Sequence, residues 1–309
     1  MKKLNTNIIL VHLGDKKIPY ILYTIYHLIY FKHKNIYLIA NKKTIKFLKK
    51  YKISNSINLI DVSDLKKTYE HNQFLSKTKL DKKWDYGFWQ NTSERFFYIE
   101  SLSREKKLQN IIHLENDNLI FDNLEKYIKI FYKNYFIGLT FLNKDFCIPG
   151  FVYIKNYRYM KIITNEIHKK NTSFFQFKKS NDMEILGQLK YKNKKISLLP
   201  TVNKEMISYS QHPVDKEFYN CFEKFRCLFD AAAIGQKIDG LSLTANNGKK
   251  KGKEYINKAN IIDPTHFNIV FKKIKELKKP YLFVNNKLIP LINIHLHSKR
   301  NHIFFNKLK

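Results

Sequence analysis

Three short apolar runs near the amino terminus constrain the fold most. Residues 7–13 (NIILVHL), 35–40 (NIYLIA) and 57–62 (INLIDV) each have strand length and are dense in Ile and Leu. Gly14-Asp15 breaks the first run. Pro19 suits the first turn of a helix, which residues 20–31 continue. Residues 44–51 form a short Lys-rich helix between the second and third runs. Strand, helix, strand, helix, strand in that order predicts a parallel, nucleotide-binding type of sheet.

The next informative stretch is residues 111–121, IIHLENDNLIF. Ile111, Ile112 and Leu114 fill a core, then Glu115, Asn116 and Asp117 interrupt before Leu119, Ile120 and Phe121 resume the apolar pattern. Two carboxylates two residues apart, where a sheet strand stops, can hold one hard divalent cation. Ligands of α/β sheets bind at that end of the strands. A cation there can grip nucleotide phosphates and stabilise a departing diphosphate. The plain alternative is a pair of surface carboxylates in a turn.

The rest of the chain mixes helices and strands. Residues 66–90 are polar and aromatic and read as loop and short helix. Thr92 or Ser93 can cap a helix to about Leu108. Helices are expected at 124–133, 157–169, 182–191, 218–239 (interrupted at Gly235-Gln236) and, from its spacing, 267–277. Strands are expected at 135–141, 150–154 and 196–199. Residues 281–284 and 288–294 read as a hairpin about Asn285-Asn286. Residues 241–260, with two glycines among lysines, read as a mobile loop. No internal repeat or interdomain linker is evident, so residues 1–145 and 146–309 are expected to form two halves of one continuous domain.

Charge invites another reading. Lys and Arg number 57 against 26 acidic residues, a formal +31. Nearly all are Lys, spread along the chain among Asn, Ile, Tyr and Phe, residues with A/T-rich codons. Arg, better suited to bidentate phosphate and base contacts, is scarce. A solvated Lys coat is therefore expected and no nucleic-acid partner, although this charge can hold a protein at an anionic membrane surface. A hydrophobic share of 44% argues against disorder. Cys147, Cys221 and Cys227 lack metal or disulfide spacing and read as reduced thiols of a cytoplasmic protein. Neither a signal peptide nor a membrane span is expected; residues 20–31 are too short to cross a bilayer.

Other candidates each have a plain reading. His295 and His297 alternate, so on a strand both face one side and can ligate a metal, while Lys299 can meet a phosphate; otherwise they belong to a frayed basic tail. Arg95, one helix before the acidic strand, can clamp a diphosphate or hold the acidic loop, or pair on its helix surface with Glu94 or Glu100. Asp182, Glu184 and Asp230 can deprotonate a hydroxyl, or Asp182 and Asp230 can cap helices. Gly150 permits close backbone approach by a sugar or acceptor, or is a turn. Trp84, Tyr86 and Trp89 can line a sugar-stacking surface or pack in a core.

In their order these features resemble nucleotide-sugar glycosyltransferases of the GT-A fold. HLENDNL is similar to that family's Asp-x-Asp triplet, with Glu115 for the first Asp. SERFFYI resembles the preceding Arg helix. NIHLHSK resembles a late metal-binding His with a nearby diphosphate-binding Lys, matching His297 and Lys299 first and His295 second. FDAAAIGQKIDG, NIIDP and NIHLHSK resemble, in that order, segments of a bacterial and viral group of such enzymes. The resemblance spans roughly residues 7 to 300. It implies a single α/β domain, a mostly parallel Rossmann-type sheet flanked by helices with a mixed carboxyl-terminal acceptor half. It also implies Mn²⁺ or Mg²⁺ held by Glu115, Asp117, His297 and His295. The nucleotide-diphosphate sugar would meet His12, Gly14, Asp15, Arg95, Glu115, Asn116 and Lys299, and a glycan or glycolipid hydroxyl would be the acceptor, with Asp182 or Asp230 as base if the reaction inverts. Rival readings are a metal-dependent nucleotidyl- or phosphotransferase, a non-catalytic basic nucleic-acid-binding protein, and a membrane-surface adaptor.

Overall fold

A computed structural model describes residues 4–14, 18–173, 180–240 and 257–305. Among these, seven strands form the main sheet in the order β3-β2-β1-β4-β7-β6-β8. The strands are β1 (Asn7–His12), β2 (Ile36–Ala40), β3 (Asn58–Asp61), β4 (Gln109–Leu114), β6 (Ile137–Phe141), β7 (Cys147–Asn156) and β8 (Ile196–Leu198). β1 pairs in parallel with β2 and β4, and β2 with β3. Only β7 is reversed: it pairs antiparallel with both β4 and β6, while β6 and β8 are parallel. The 145/146 boundary therefore falls between two paired strands of one sheet.

The mostly parallel sheet follows from its connections. Helices α1 (Ile21–Tyr30) and α2 (Lys42–Leu48) carry the first two crossovers, and α4 (Phe88–Glu105) leads into β4. Ile8, Leu10, Ile36, Leu38, Ile112 and Leu114 pack in one core with Ile21, Ile25 and Leu28 of α1. Ile9, Ile39 and Ile111 point to a second core with Phe96, Phe97 and Ile99 of α4. Burial on both faces is why these strands read as continuous apolar runs. α3 (Tyr69–Lys77), α5 (Ile128–Asn134), α6 (Tyr157–Thr172) and α7 (Asp182–Lys192) complete the helical layers.

A second sheet is built from β5 (Asn118–Ile120), β10 (Asn268–Ile274), β11 (Leu277–Val284) and β12 (Lys287–His295), in the order β10-β11-β12-β5, with β9 (Leu228–Phe229) also against β12. The hairpin about Asn285-Asn286 is present, both residues having positive φ.

Two expectations fail here. Residues 267–277 were expected to be helical, yet Asn268–Ile274 is β10, fully paired with β11; pairing of a run rich in β-branched and aromatic residues overrides its helical spacing. Residues 218–239 are not a broken helix but α8 (Phe222–Phe225), then β9, then α9 (Ala233–Asp239). Arg226, in the left-handed region at φ 53°, ends α8, and β9 is drawn into parallel pairing with β12. Helix α4 begins at Phe88, ahead of the expected Thr92 or Ser93 cap. Asp15 and residues 241–256 of the expected loop lie outside the described residues. No helix among the described residues is long and apolar enough to cross a membrane.

Candidate metal centre

The acidic triplet forms the turn between β4 and β5. The Asn118 amide donates to the Glu115 carbonyl at 3.0 Å, and the Glu115 amide donates to Gly150 O at 3.0 Å. Asn116 Nδ2 donates to Val11 O at 2.8 Å, tying the turn to the end of β1, where His12 and Gly14 lie. The turn thus stands at the carboxyl ends of neighbouring parallel strands.

Strand register brings the tail to this turn. β12 runs antiparallel to β5 with His295 opposite Asn118, and the Leu296 amide donates to Asp117 O at 2.9 Å. His295 Nε2 lies 2.8 Å from Glu115 Oε2 and 3.2 Å from Asp117 Oδ1. One donor atom from each of the three residues falls within 4.8 Å of the others. Adjacent ligands on an octahedral ion with bonds near 2.1 Å stand about 3 Å apart, so this donor set fits a small divalent cation.

His297, the first expectation for the histidine ligand, is outside the three-donor cluster, and His295, the second, is inside it. β12 ends at His295, so the alternation that would put both rings on one side ends with it. His297 Nδ1 instead accepts from Gln236 Nε2 at 3.1 Å, and its ring meets that of His295 edge-on at 4.5 Å. Nor is the tail frayed: Arg300 and Ser298 both bond to Asp239 of α9. Lys299 Nζ lies 5.6 Å from the Tyr20 ring centroid, and its charge favours ionised Asp117.

Arg95 is buried and forked between two carboxylates. One guanidinium nitrogen bonds Glu115 Oε1, and the other donates to Asp182 Oδ2 at 2.8 Å. It is therefore not a helix-surface partner of Glu94 or Glu100; it holds the acidic turn. Asp182 begins α7 and is itself buried, with Asn181 supplying the helix cap. Glu184 receives that cap through its amide. Asp230 accepts from the amides of Ile234 (3.0 Å), Gly235 (2.9 Å) and His295 (3.0 Å). It caps the small-residue run and pins the site histidine. Its carboxylate is committed to these donors rather than to an incoming hydroxyl.

Two glycines make room for His295. A Cβ on Gly150 would stand 2.7 Å from His295 Nδ1, and one on Gly235 would stand 1.9 Å from His295 O. The group that approaches Gly150 is thus this imidazole. Asn118 and Asn293 complete the support. Asn118 Nδ2 donates to Gly150 O at 2.7 Å, and Asn293 Nδ2 donates to Asn118 Oδ1 at 2.9 Å and to Asp230 O at 3.0 Å. Sequence reading missed both asparagines, although Asn293 shares the two-residue alternation with His295.

The electrostatics follow from this packing. Burial alone would raise the Glu115 pKa, but Arg95 and His295 outweigh it and hold it well below the usual range. Burial opposes ionised Asp117 too, and His295 and Lys299 overcome it. Burial pulls His295 down, yet Asp117 and Glu115 lift it to about 10. Without a cation, the imidazolium supplies the positive charge that two close carboxylates require. Burial prevails at Asp182 and Asp230, raising both.

Of the aromatic group, Trp89 packs against the main core, whereas Trp84 and Tyr86 are exposed. Trp84 stacks on Trp89 at 5.9 Å, and Tyr86 is 69% exposed. Asp85, Tyr86 and Gly87 all have positive φ. Burial, and then the charges of Asp117, Glu115 and Asp85, push the Tyr20 hydroxyl up.

No family model and no curated protein matches the sequence. Among solved structures the chain is similar to mouse xyloside xylosyltransferase 1 in its apo form, at 9% identity over 65% of this chain and 87% of that one, with TM-score 0.40. It is similar to galactosyltransferase LgtC in complex with donor and acceptor sugar analogues, at 10% identity over 63% and 73%, with TM-score 0.41. It is also similar to a Bacillus anthracis protein described as a glucose-1-phosphate thymidylyltransferase, at 10% identity over 62% and 85%, with TM-score 0.37. Likeness at this level assigns neither activity nor substrate to this chain.

Proposed function

We propose that the protein is a metal-dependent glycosyltransferase that moves a sugar from a nucleotide-diphosphate donor to a hydroxyl of a glycan or glycolipid, in surface glycan assembly. The observation that carries this reading is the meeting of Glu115 and Asp117 with His295 at the carboxyl ends of parallel strands. The order of sequence motifs resembling GT-A enzymes supports it. Glu115, Asp117 and His295 would hold Mn²⁺ or Mg²⁺, and the mixed carboxylate and imidazole set favours Mn²⁺. The ion, when bound, neutralises charge on the leaving diphosphate.

The chain's own groups have separable tasks. Arg95 fixes the Glu115 carboxylate from beneath, with Asp182 as its counter-charge. Asp230 fixes the backbone of His295. We assign Asp182 and Asp230 to positioning rather than to proton abstraction, because their oxygens already serve Arg95 and three amides. Lys299 and His297 flank the cluster and add positive charge and a donor where the diphosphate would leave. His12 and Gly14, at the end of β1, would border the nucleoside, and Asn116 orients that edge.

Incubation with a panel of sugar nucleotides and Mn²⁺ tests this reading through its products. Free nucleoside diphosphate, released only with metal and not by Asp117→Ala, is the expected result. Pyrophosphate released from a nucleoside triphosphate and a sugar 1-phosphate, with no nucleoside diphosphate formed from the sugar nucleotides, would mean nucleotidyl transfer instead. Salt-sensitive binding to arbitrary DNA or RNA, untouched by Asp117→Ala and without turnover, would leave only a basic binding protein.

A further inference from the structure

The second sheet presents an outer face that the register defines. Phe283 pairs with Asn268 on one side and Leu288 on the other, and Tyr281 pairs with Val270 and Pro290. Cross-strand partners project to the same side, so these residues form one surface. Phe283 is 37% and Leu288 38% exposed, whereas Leu282 and Ile289, pointing the other way, are buried. In the next row Lys272 and Lys279 stand 5.2 and 5.8 Å from the Tyr281 ring centroid.

The charge around this surface is one-sided. Residues 268–290 hold six Lys, no Arg and one acidic residue, Glu276. Glu276 accepts from Tyr26 Oη at 2.7 Å. Lys279 and Lys287 are paired with Asp122 and Glu205. Lys272, on the same side as Phe283, and Lys275, in the turn between β10 and β11, are exposed; Lys273 and Lys278, which pair with each other, are exposed on the other side.

This chemistry selects its occupant. A second copy carries the same +31 charge and is repelled. Nucleic acid is met best by Arg forks, which the segment lacks. Exposed aromatic and aliphatic side chains with Lys272 beside them and Lys275 at the hairpin turn fit the boundary between anionic headgroups and acyl chains. We propose that the outer face of the β10–β12 hairpins docks on an anionic lipid bilayer, with Phe283 and Leu288 entering the headgroup boundary. β12 connects this face to the metal cluster: Leu288 and His295 are seven residues apart on one strand, about 23 Å. Docking would therefore fix the cluster's distance from the lipid surface. The proposal stands independently of the reading of the cluster.

Vesicle flotation of the full chain tests it, with phosphatidylcholine vesicles containing about 30% phosphatidylserine against phosphatidylcholine alone, at about 0.1 M salt. The expected result is flotation with the anionic vesicles only. It should be weakened roughly tenfold by Phe283→Ser with Leu288→Ser and unchanged by Tyr132→Ser with Phe136→Ser, a similarly exposed pair elsewhere. Circular dichroism and Tm check that the variants fold. Should the hairpin pair unfold, Lys272→Glu with Lys275→Glu, on that face and at the turn beside it, replaces it, with the same loss expected. Three results overturn the proposal: no flotation with anionic vesicles, equal flotation of the hairpin variants, or equal weakening by both aromatic pairs. Duplex DNA binding that depends on Phe283 and Leu288, without vesicle binding, would also overturn it.

Discussion

The two sides of the proposed metal centre are held by different physics. The mid-chain side, Glu115 to Asn118, hangs from a buried parallel strand and is fixed by charge, through Arg95 forked between Glu115 and Asp182. The tail side, Asn293 to His295, is fixed by shape and backbone bonds. Gly150 and Gly235 leave space for one residue, and Asp230 accepts its amide. Charge tolerates small displacements, whereas a glycine contact at backbone distance tolerates none. The tail side should therefore fail by steric block and the mid-chain side by loss of a counter-ion.

The largest effect expected is on the tail side. Gly235→Ala would place a methyl 1.9 Å from the His295 carbonyl oxygen, inside any possible contact. The backbone must move, and a loss of about 4–5 kcal/mol is expected in urea unfolding. A loss below about 1 kcal/mol would mean that β12 is free to shift.

On the mid-chain side, Arg95→Leu leaves Asp182 as a buried carboxylate without its partner, and Glu115 with His295 alone. Removing one member of a buried ion pair costs about 3–5 kcal/mol. The pairing predicts recovery of part of that loss in Arg95→Leu with Asp182→Asn, measured as a double-mutant cycle. Additive losses would contradict the coupling.

Acid should open the mid-chain side through two buried histidines. His27 meets Ile120 O of β5, and His33 meets Asp122 O just beyond it. Burial lowers both pKa values from 6.5 to about 4. The unfolded chain therefore binds more protons below pH 6.5. Stability is complete above that pH and is lost as pH falls towards 4, by ~3 kcal/mol for each histidine. Burial lowers His113 and His297 in the same way, to about 3 and about 4, so His27→Phe should flatten the fall between pH 6.5 and 4 by about a quarter; an unchanged slope would assign it to other groups.

A smaller effect separates fold from site. In Gly150→Ala the new methyl would meet a ring nitrogen, at 2.7 Å, rather than backbone. About 1–3 kcal/mol of stability should be lost, together with Mn²⁺ affinity, as the imidazole is displaced. Retained metal affinity would show that the ring position does not matter.

What the sequence disclosed follows the same division. β1, β2 and β4 were legible because burial on both faces leaves continuous apolar runs, and the acidic turn was legible because its residues are neighbours in the chain. The tail was legible only as a motif. His297 stood out with His295, but strand pairing with Asn118, 177 residues earlier in the chain, decides where β12 ends and which ring reaches the carboxylates. Asp182 and Asp230 read as bases or helix caps, and not as partners of Arg95 and of the His295 amide, because these are 87 and 65 positions away. β10 read as a helix because its spacing was visible and its partner strand was not.

Mn²⁺ titration followed by calorimetry and electron paramagnetic resonance is the most direct test of whether mid-chain carboxylates and a tail imidazole chelate one ion. One Mn²⁺ per chain is expected, lost in Asp117→Ala and His295→Ala and retained in His297→Ala. Binding that survives His295→Ala but vanishes in His297→Ala, or no binding by the unaltered chain, would contradict it.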